Sequence, residues 1–159
     1  MQRVQNIRPA GEWDRTGAID RVVLDADDRT RRRFVLTGEK GTTLLLDFPQ
    51  PVTLHDGDGL VLDDGTIVLV AGAAEPLAEI AAATAFDVVR VAWHLGNRHA
   101  DVQFLGPRMR IRRDHVLEEM VKGLGAAVTL VDAPFDPEAD APAHGHAHEH
   151  DHHHEHGHE

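Results

Sequence analysis

The stretch TAFDVVRVAWHLGNRHADVQFLGPRMRIRRDHVLEEMVKGLGAAVTLV, residues 84–131, decides how this chain folds. Thr84 offers an N-cap, with Asp87 three residues on. This is a short-armed version of the box in which a cap hydroxyl and a downstream acid serve the free N–H groups of a first turn. Phe86, Val89, Val91–Trp93 and Leu95 place apolar residues around a helix that runs to about Leu95–Asn97. Gly96 and Asn97 suit its end, since both enter the left-handed conformation at low cost. Val102–Leu105 reads as a strand and Gly106-Pro107 as a turn. Met109 and Ile111 alternate with arginines, the pattern of a half-exposed strand. Asp114 is placed to cap a second helix, His115–Lys122, that stops at Gly123 or Gly125, and Ala127–Val131 is a final strand. Upstream, Leu77–Ala81 is a strand candidate, although alanine is a poor strand former. The order β-α-β-β-α-β is the ferredoxin-like split arrangement, with both helices expected on one face of an antiparallel sheet.

Working outward, residues 1–74 read as all-β, so the fold class is α+β. Arg33–Leu36 follows a polar, arginine-rich turn. Gly41–Phe48 is a second strand, ended by Pro49. Leu60–Leu62 and Thr66–Val70 flank Asp63-Asp64-Gly65, a hairpin signal because Gly65 tolerates the positive φ that such turns require. HDGDG at 55–59 is another turn-rich segment, and Ala71–Ala74 marks a boundary.

The other end of the chain differs in composition. Residues 1–131 carry all 16 Lys and Arg and 19 of the 27 acids, a net charge of −3, whereas residues 132–159 carry the other 8 acids and no Lys or Arg, a net of −8. Such an acidic tail repels nucleic acid and anionic membrane, so neither is expected as a partner. Pro134, Pro137 and Pro142 block a continuing helix. From Ala139 onward no large apolar residue offsets the entropy of ordering, and 139–159 is expected to be disordered when unliganded. There is no apolar run of about 18 residues to span a bilayer. The opening MQRVQNIRPAGEW lacks the apolar core of a secretory signal. No Cys is present, which excludes disulfides and thiolate-held zinc or iron–sulfur centres. The expected compartment is the cytoplasm.

Within the tail stand nine of the chain's 13 histidines: His144, His146, His148, His150, His152, His153, His154, His156 and His158. Neutral imidazole suits nickel, copper and zinc alike, and with an ordinary pKa of about 6.5 most of these rings are neutral near pH 7. An expression tag has uninterrupted histidines. Here the longest run is three, interleaved with Glu149, Asp151 and Glu155, so the tract reads as natural metal binding.

His94 and His99 bracket Leu-Gly-Asn-Arg. Five residues on a helix turn through roughly 140° beyond a full circle, so the two do not share a face. On spacing alone each reads as structural before it reads as a ligand. His99, just beyond a helix end, is also placed to lie exposed at an interface, where a two-fold axis would bring in a second copy. His55 sits in a turn and reads as a surface residue. His115 starts a helix, where the dipole favours a neutral ring able to take a metal. The arginine runs 29–33 and 108–113 lack the aromatic platform of a nucleic-acid surface. No phosphate loop, nucleophile elbow or H-E-x-x-H is present. Asp63-Asp64 and Glu118-Glu119 are neighbours that point apart, so no catalytic residue is indicated and the chain does not read as an enzyme.

His94-Leu-Gly-Asn-Arg-His99, then Asp114-His115-Val-Leu-Glu-Glu-Met120, then the histidine-rich C-terminus resemble the UreE family of urease accessory proteins, in order and over the whole chain. The resemblance implies a homodimeric nickel metallochaperone. Ni²⁺ would be its cargo, Cu²⁺ and Zn²⁺ suiting the same ligands. Its partners would be the urease accessory GTPase, the other urease assembly proteins and the urease apoprotein. Residues 1–74 become a β-rich, peptide-binding-like domain, 75–138 the ferredoxin-like metal-binding domain and 139–159 the tail. The family's interface ligand, one from each chain, falls on His99. An additional ligand of some members falls on His115. Those members have a second His two residues earlier, where this chain has Arg113, a cation that disfavours a metal there. The tail histidines carry over as auxiliary ligands. The other readings are a nickel or zinc buffer without a dedicated client, and a peptide-binding chaperone module whose tail is incidental.

Overall fold

The computed structural model describes residues 1–140; the nine tail histidines lie outside the described residues. The first six strands are β1 (Gln2–Arg8), β2 (Asp20–Leu24), β3 (Thr30–Thr37), β4 (Thr43–Thr53), β5 (Gly59–Leu62) and β6 (Ile67–Gly72). They form one sheet in the order β2-β6-β5-β1-β4-β3. The pairs β1/β4 and β2/β6 are parallel and the others antiparallel. Val4, Val22, Leu36, Leu44, Leu46, Leu54, Leu60, Leu62, Val68 and Val70 point inward to a common core. The hairpin at Asp63-Asp64-Gly65 is present, joining β5 to β6.

Two expectations for this half need correction. β4 does not stop at Pro49 but continues through Pro49 and Pro51 to Thr53. The register against β3 jumps there, from Asp47 opposite Arg33 to Val52 opposite Arg31. The prolines fall in that irregularity, where no ladder donor is required of them. β1 and β2 were not expected. β1 carries only Val4 and Ile7 as apolar residues, β2 is five residues long, and the pairing partners of both lie far along the chain.

The sheet curls so that its two edge strands meet at one end. The turn between β3 and β4 donates from Glu39 N–H to the Arg21 carbonyl on β2 at 2.9 Å. Asp20, buried on β2, accepts N–H bonds from Arg21 at 2.7 Å, Lys40 at 3.0 Å and Thr42 at 3.1 Å. Burial pushes its carboxyl pKa up, but the donors from Lys40, Thr42 and Arg21 together outweigh burial and bring it down from the ordinary 3.8 to about 2. A lowered folded-state pKa means stability that is fully present above the unfolded value and lost as pH falls toward the folded one. The chain should therefore lose stability progressively between the ordinary carboxylate range and pH about 2. Asp20→Ala, which leaves these donors unpaired, should cost about 1–3 kcal/mol at neutral pH and remove this part of the acid dependence. Urea melts from pH 7 to 2 check both; an unchanged acid limb would assign that loss to other carboxylates.

β7 (Ala74–Ala81) follows β6 almost without a break, then come α1 (Ala85–Asn97), β8 (Gln103–Leu105), β9 (Arg108–Arg112), α2 (His115–Gly123) and β10 (Ala127–Pro134). These strands form a second sheet, β10-β7-β9-β8, antiparallel throughout. The expected β-α-β-β-α-β order is present. Val91 and Leu95 of α1 and Val121 of α2 close over Ala78, Ile80, Met109 and Ile111, which places both helices on one face. On the open face, the arginines of β9 are ion-paired: Arg108 and Arg110 with Glu79, Arg112 with Glu75, Asp27 and Asp101.

Candidate functional site

The Thr84 cap is built as the sequence suggests. Asp87 N–H donates to the Thr84 hydroxyl at 3.1 Å, and that hydroxyl donates to the Asp87 carboxylate at 2.9 Å. The turn sets the rotation of α1. Val91 and Leu95 face the core, with Val88 and Ala92 partly covered beside them. The opposite face carries a second apolar stripe, Phe86, Val89 and Trp93, exposed by 71%, 65% and 63%. The apolar residues all round α1 thus resolve into two stripes at helical spacing, one buried and one open. The Trp93 ring meets His94 edge-on at 5.0 Å, and the Arg90 guanidinium lies 5.9 Å from the Phe86 ring.

α1 ends at Asn97, as expected, but neither Gly96 nor Asn97 takes the left-handed position. Its last carbonyls are closed by His99 N–H to Gly96 at 3.0 Å and Ala100 N–H to Leu95 at 3.1 Å. This is the paired C-terminal bonding that requires a left-handed residue after the cap, and that residue is His99, at φ 56°. α2 ends with the same pair of bonds, Gly125 to Lys122 at 2.9 Å and Ala126 to Val121 at 3.0 Å, and there the left-handed residue is Gly125, at φ 90°. Two helices of one sheet thus use one terminator, with glycine in one and histidine in the other. A side chain in that conformation costs about 1–2 kcal/mol. Among the described residues His99 is the single non-glycine with positive φ. Strain kept where glycine would relieve it points to a role for the side chain, and the His99 side chain is exposed.

His99 lines an open groove of about 340 Å³. Its other walls are Ala92 and Gly96 of α1, Asp101, Val102 and Phe104 on the way into β8, and Glu138, Ala139 and Asp140. The last described residues of the chain therefore run past His99. Asp101, Glu138 and Asp140 were not singled out in the sequence. Their sequence separation from His99, apart from Asp101, left no signal to find them by.

The other candidates are dispersed. His115 is exposed as the first residue of α2, behind Asp114, whose carboxylate accepts Leu117 N–H at 3.0 Å. It does not line the His99 groove. Arg113 is drawn toward buried Glu118, whose carboxylate accepts from Arg113 Nε at 3.2 Å and from Asp114 N–H at 2.9 Å. His55 is exposed, with Nδ1 3.6 Å from the Asp136 carboxylate. His94 is half-buried on α1. Among the described residues no three His, Asp or Glu side chains converge as a metal would need, and no helix is long and apolar enough to cross a membrane.

Comparison with known proteins bears on both halves. The family model for the UreE urease accessory protein, N-terminal domain, matches residues 1–73, and that for the C-terminal domain matches residues 75–159. The chain is 50% identical over 141 residues to the urease accessory protein UreE of Rhodopseudomonas palustris (strain BisB18), covering 89% of this chain and 66% of that one. It is 50% identical to the Bradyrhizobium sp. (strain ORS 278) protein of the same name, over 89% of this chain and 67% of the relative. For that of Rhodobacter capsulatus the identity is 40%, over 89% and 86%. The chain thus spans about two thirds of the length of the first two relatives. The matches to both halves define the class, the urease accessory proteins. The chain belongs to the UreE urease accessory protein family.

Proposed function

We propose that this chain is a nickel metallochaperone that delivers Ni²⁺ for assembly of the urease active site. In this reading it acts in the cytoplasm as a homodimer. Residues 75–138 are its ferredoxin-like metal-binding domain, residues 1–74 its peptide-binding-like domain and residues 139–159 its histidine-rich tail. The observation that carries the reading is His99, exposed and held in a conformation that glycine would adopt more cheaply. The open stripe Phe86, Val89 and Trp93 on the same helix offers a second copy an apolar face, and an isologous contact there would bring two His99 rings together. Two imidazoles leave positions open on a metal that takes four to six ligands. The tail histidines fill them as auxiliary ligands, and His115 is a peripheral one. Single imidazoles can be exchanged one at a time as ligands, which suits transfer by ligand exchange to the accessory GTPase, the other assembly proteins and the urease apoprotein.

The test is activation of urease apoprotein in the presence of the assembly GTPase, with equal nickel presented by this chain or by a small chelator of matched affinity. The chaperone reading expects faster activation from the chain. Equal rates would leave a nickel or zinc buffer without a dedicated client.

A further inference from the structure

Gly96 has no reason within its own chain to be glycine. It lies inside α1, ahead of the cap Arg98, and its φ is not positive. A Cβ placed on it would meet nothing within 4 Å. At Gly59 the same Cβ would come to 2.7 Å from the Trp13 ring, and at Gly72 to 2.7 Å from Pro134, so those glycines answer to their neighbours. Glycine inside a helix is less favourable than alanine, because it loses more backbone freedom on folding. Gly96 also continues the open stripe. Phe86, Val89, Trp93 and Gly96 stand at i, i+3, i+7 and i+10, the spacing of a seam along which two helices pack, and they share about 80° of the helix surface. The same glycine borders the groove of His99. The charges beside the stripe, Asp87 and Arg90, pair with each other at 3.4 Å, so nothing there selects a charged partner.

We propose that Gly96 is a positioning residue: it is the point at which α1 of a second copy of this chain crosses at backbone contact, so that two His99 rings reach one ion. The inference rests on the reading of the chain as a homodimer with paired His99 ligands, and it says where the copies must meet. His99 follows Gly96 by about 4.5 Å of helical rise. Two antiparallel helices crossing at Val89, in the middle of the stripe, would hold the two His99 about 30 Å apart, out of reach of one ion. A crossing at Gly96 brings this to about 9 Å, a span that two imidazole side chains cover. Helices pack with their axes about 8–10 Å apart and carry Cα atoms about 2.3 Å from each axis, which leaves about 3–5 Å between facing Cα atoms. Two hydrogens fit that space and two methyl groups overfill it. Gly123 of α2 is the internal control. A Cβ there also meets nothing within 4 Å, but its exposed row, Val116, Glu119 and Gly123, carries a charge in its middle.

The experiment measures the dimer dissociation constant of the full chain by sedimentation equilibrium. Gly96→Ala should weaken the dimer about 10-fold and Gly96→Leu about 100-fold, as groups forced into a packed contact do, while Gly123→Ala and Gly123→Leu leave it unchanged. The helical circular dichroism of Gly96→Ala should not fall, since alanine favours the helix; a loss of fold would instead lower both signals together. A second measurement needs no disruption. The chain has no Cys, so Gly96→Cys presents a single thiol, and facing Cα atoms about 4–7 Å apart allow a disulfide. Under diamide, at protein concentrations that populate the dimer, Gly96→Cys should give a covalent dimer and Gly123→Cys should not. A dimer that tolerates Gly96→Leu as well as Gly123→Leu, or that leaves Gly96→Cys unbridged, overturns the role of Gly96 and leaves the homodimer reading standing. A chain that is monomeric without any substitution ends the homodimer reading itself, and the role of Gly96 with it.

Discussion

Calorimetric titration of residues 1–143 with Ni²⁺ is expected to give about one ion per two chains, as a site on a two-fold axis requires, and His99→Ala should abolish it. The shortened chain keeps both cores and the bonds of Arg29 to Phe135 and Asp136, so loss of binding in His99→Ala reads on the ligand. A companion variant separates ligand from scaffold. His99→Gly should lose the same nickel and yet raise stability by about 0.5–1 kcal/mol, the relief of left-handed strain offset in part by the greater chain entropy of glycine. Opposite signs for function and stability at one residue are the signature of a side chain retained for what it binds. If truncation at 143 removes all binding by itself, His99 is structural and the tail acts as a sponge on a scaffold.

Val89→Glu should yield a monomer by sedimentation equilibrium and take the His99 site with it. Val89 lies in the middle of the open stripe, one turn from both Phe86 and Trp93, and is 65% exposed. An exposed substitution of this kind changes the stability of the isolated chain by only about 0.5 kcal/mol. In a helix-to-helix contact the same charge is buried without a partner, which costs several kcal/mol. A normal melt with a lost dimer and lost core nickel is the expected combination. A variant that stays dimeric would place the interface elsewhere, and one that is monomeric yet keeps the core site would remove the two-fold axis from the proposal.

What could be read from the residues follows from the range over which each feature is decided. Both helix starts and the end of α2 were legible because their caps are local. Thr84 and Asp87 meet three residues apart, Asp114 reaches Leu117, and Gly125 closes α2. The Asp63-Asp64-Gly65 hairpin was legible for the same reason. β1 and β2 were not. Gln2–Arg8 carries one buried residue, Val4, and is a strand because β4 and β5 lie on either side of it. Pro49 misled because a proline stops a regular ladder, and only the partner strand reveals that the ladder is irregular there.

The candidate site divides in the same way. Residue types and spacing by themselves determined that this chain has two capped helices in a β-α-β-β-α-β order, an acidic histidine tract and a histidine at the end of α1. Tertiary structure alone decided which stripe of α1 stays open and that Glu138 and Asp140 return to line the His99 groove. Each of the latter depends on groups far apart in sequence, as does the pairing of Arg29 with Phe135 and Asp136. A buried guanidinium must find its acceptors wherever the fold brings them, and nothing in the local run around either partner announces the other.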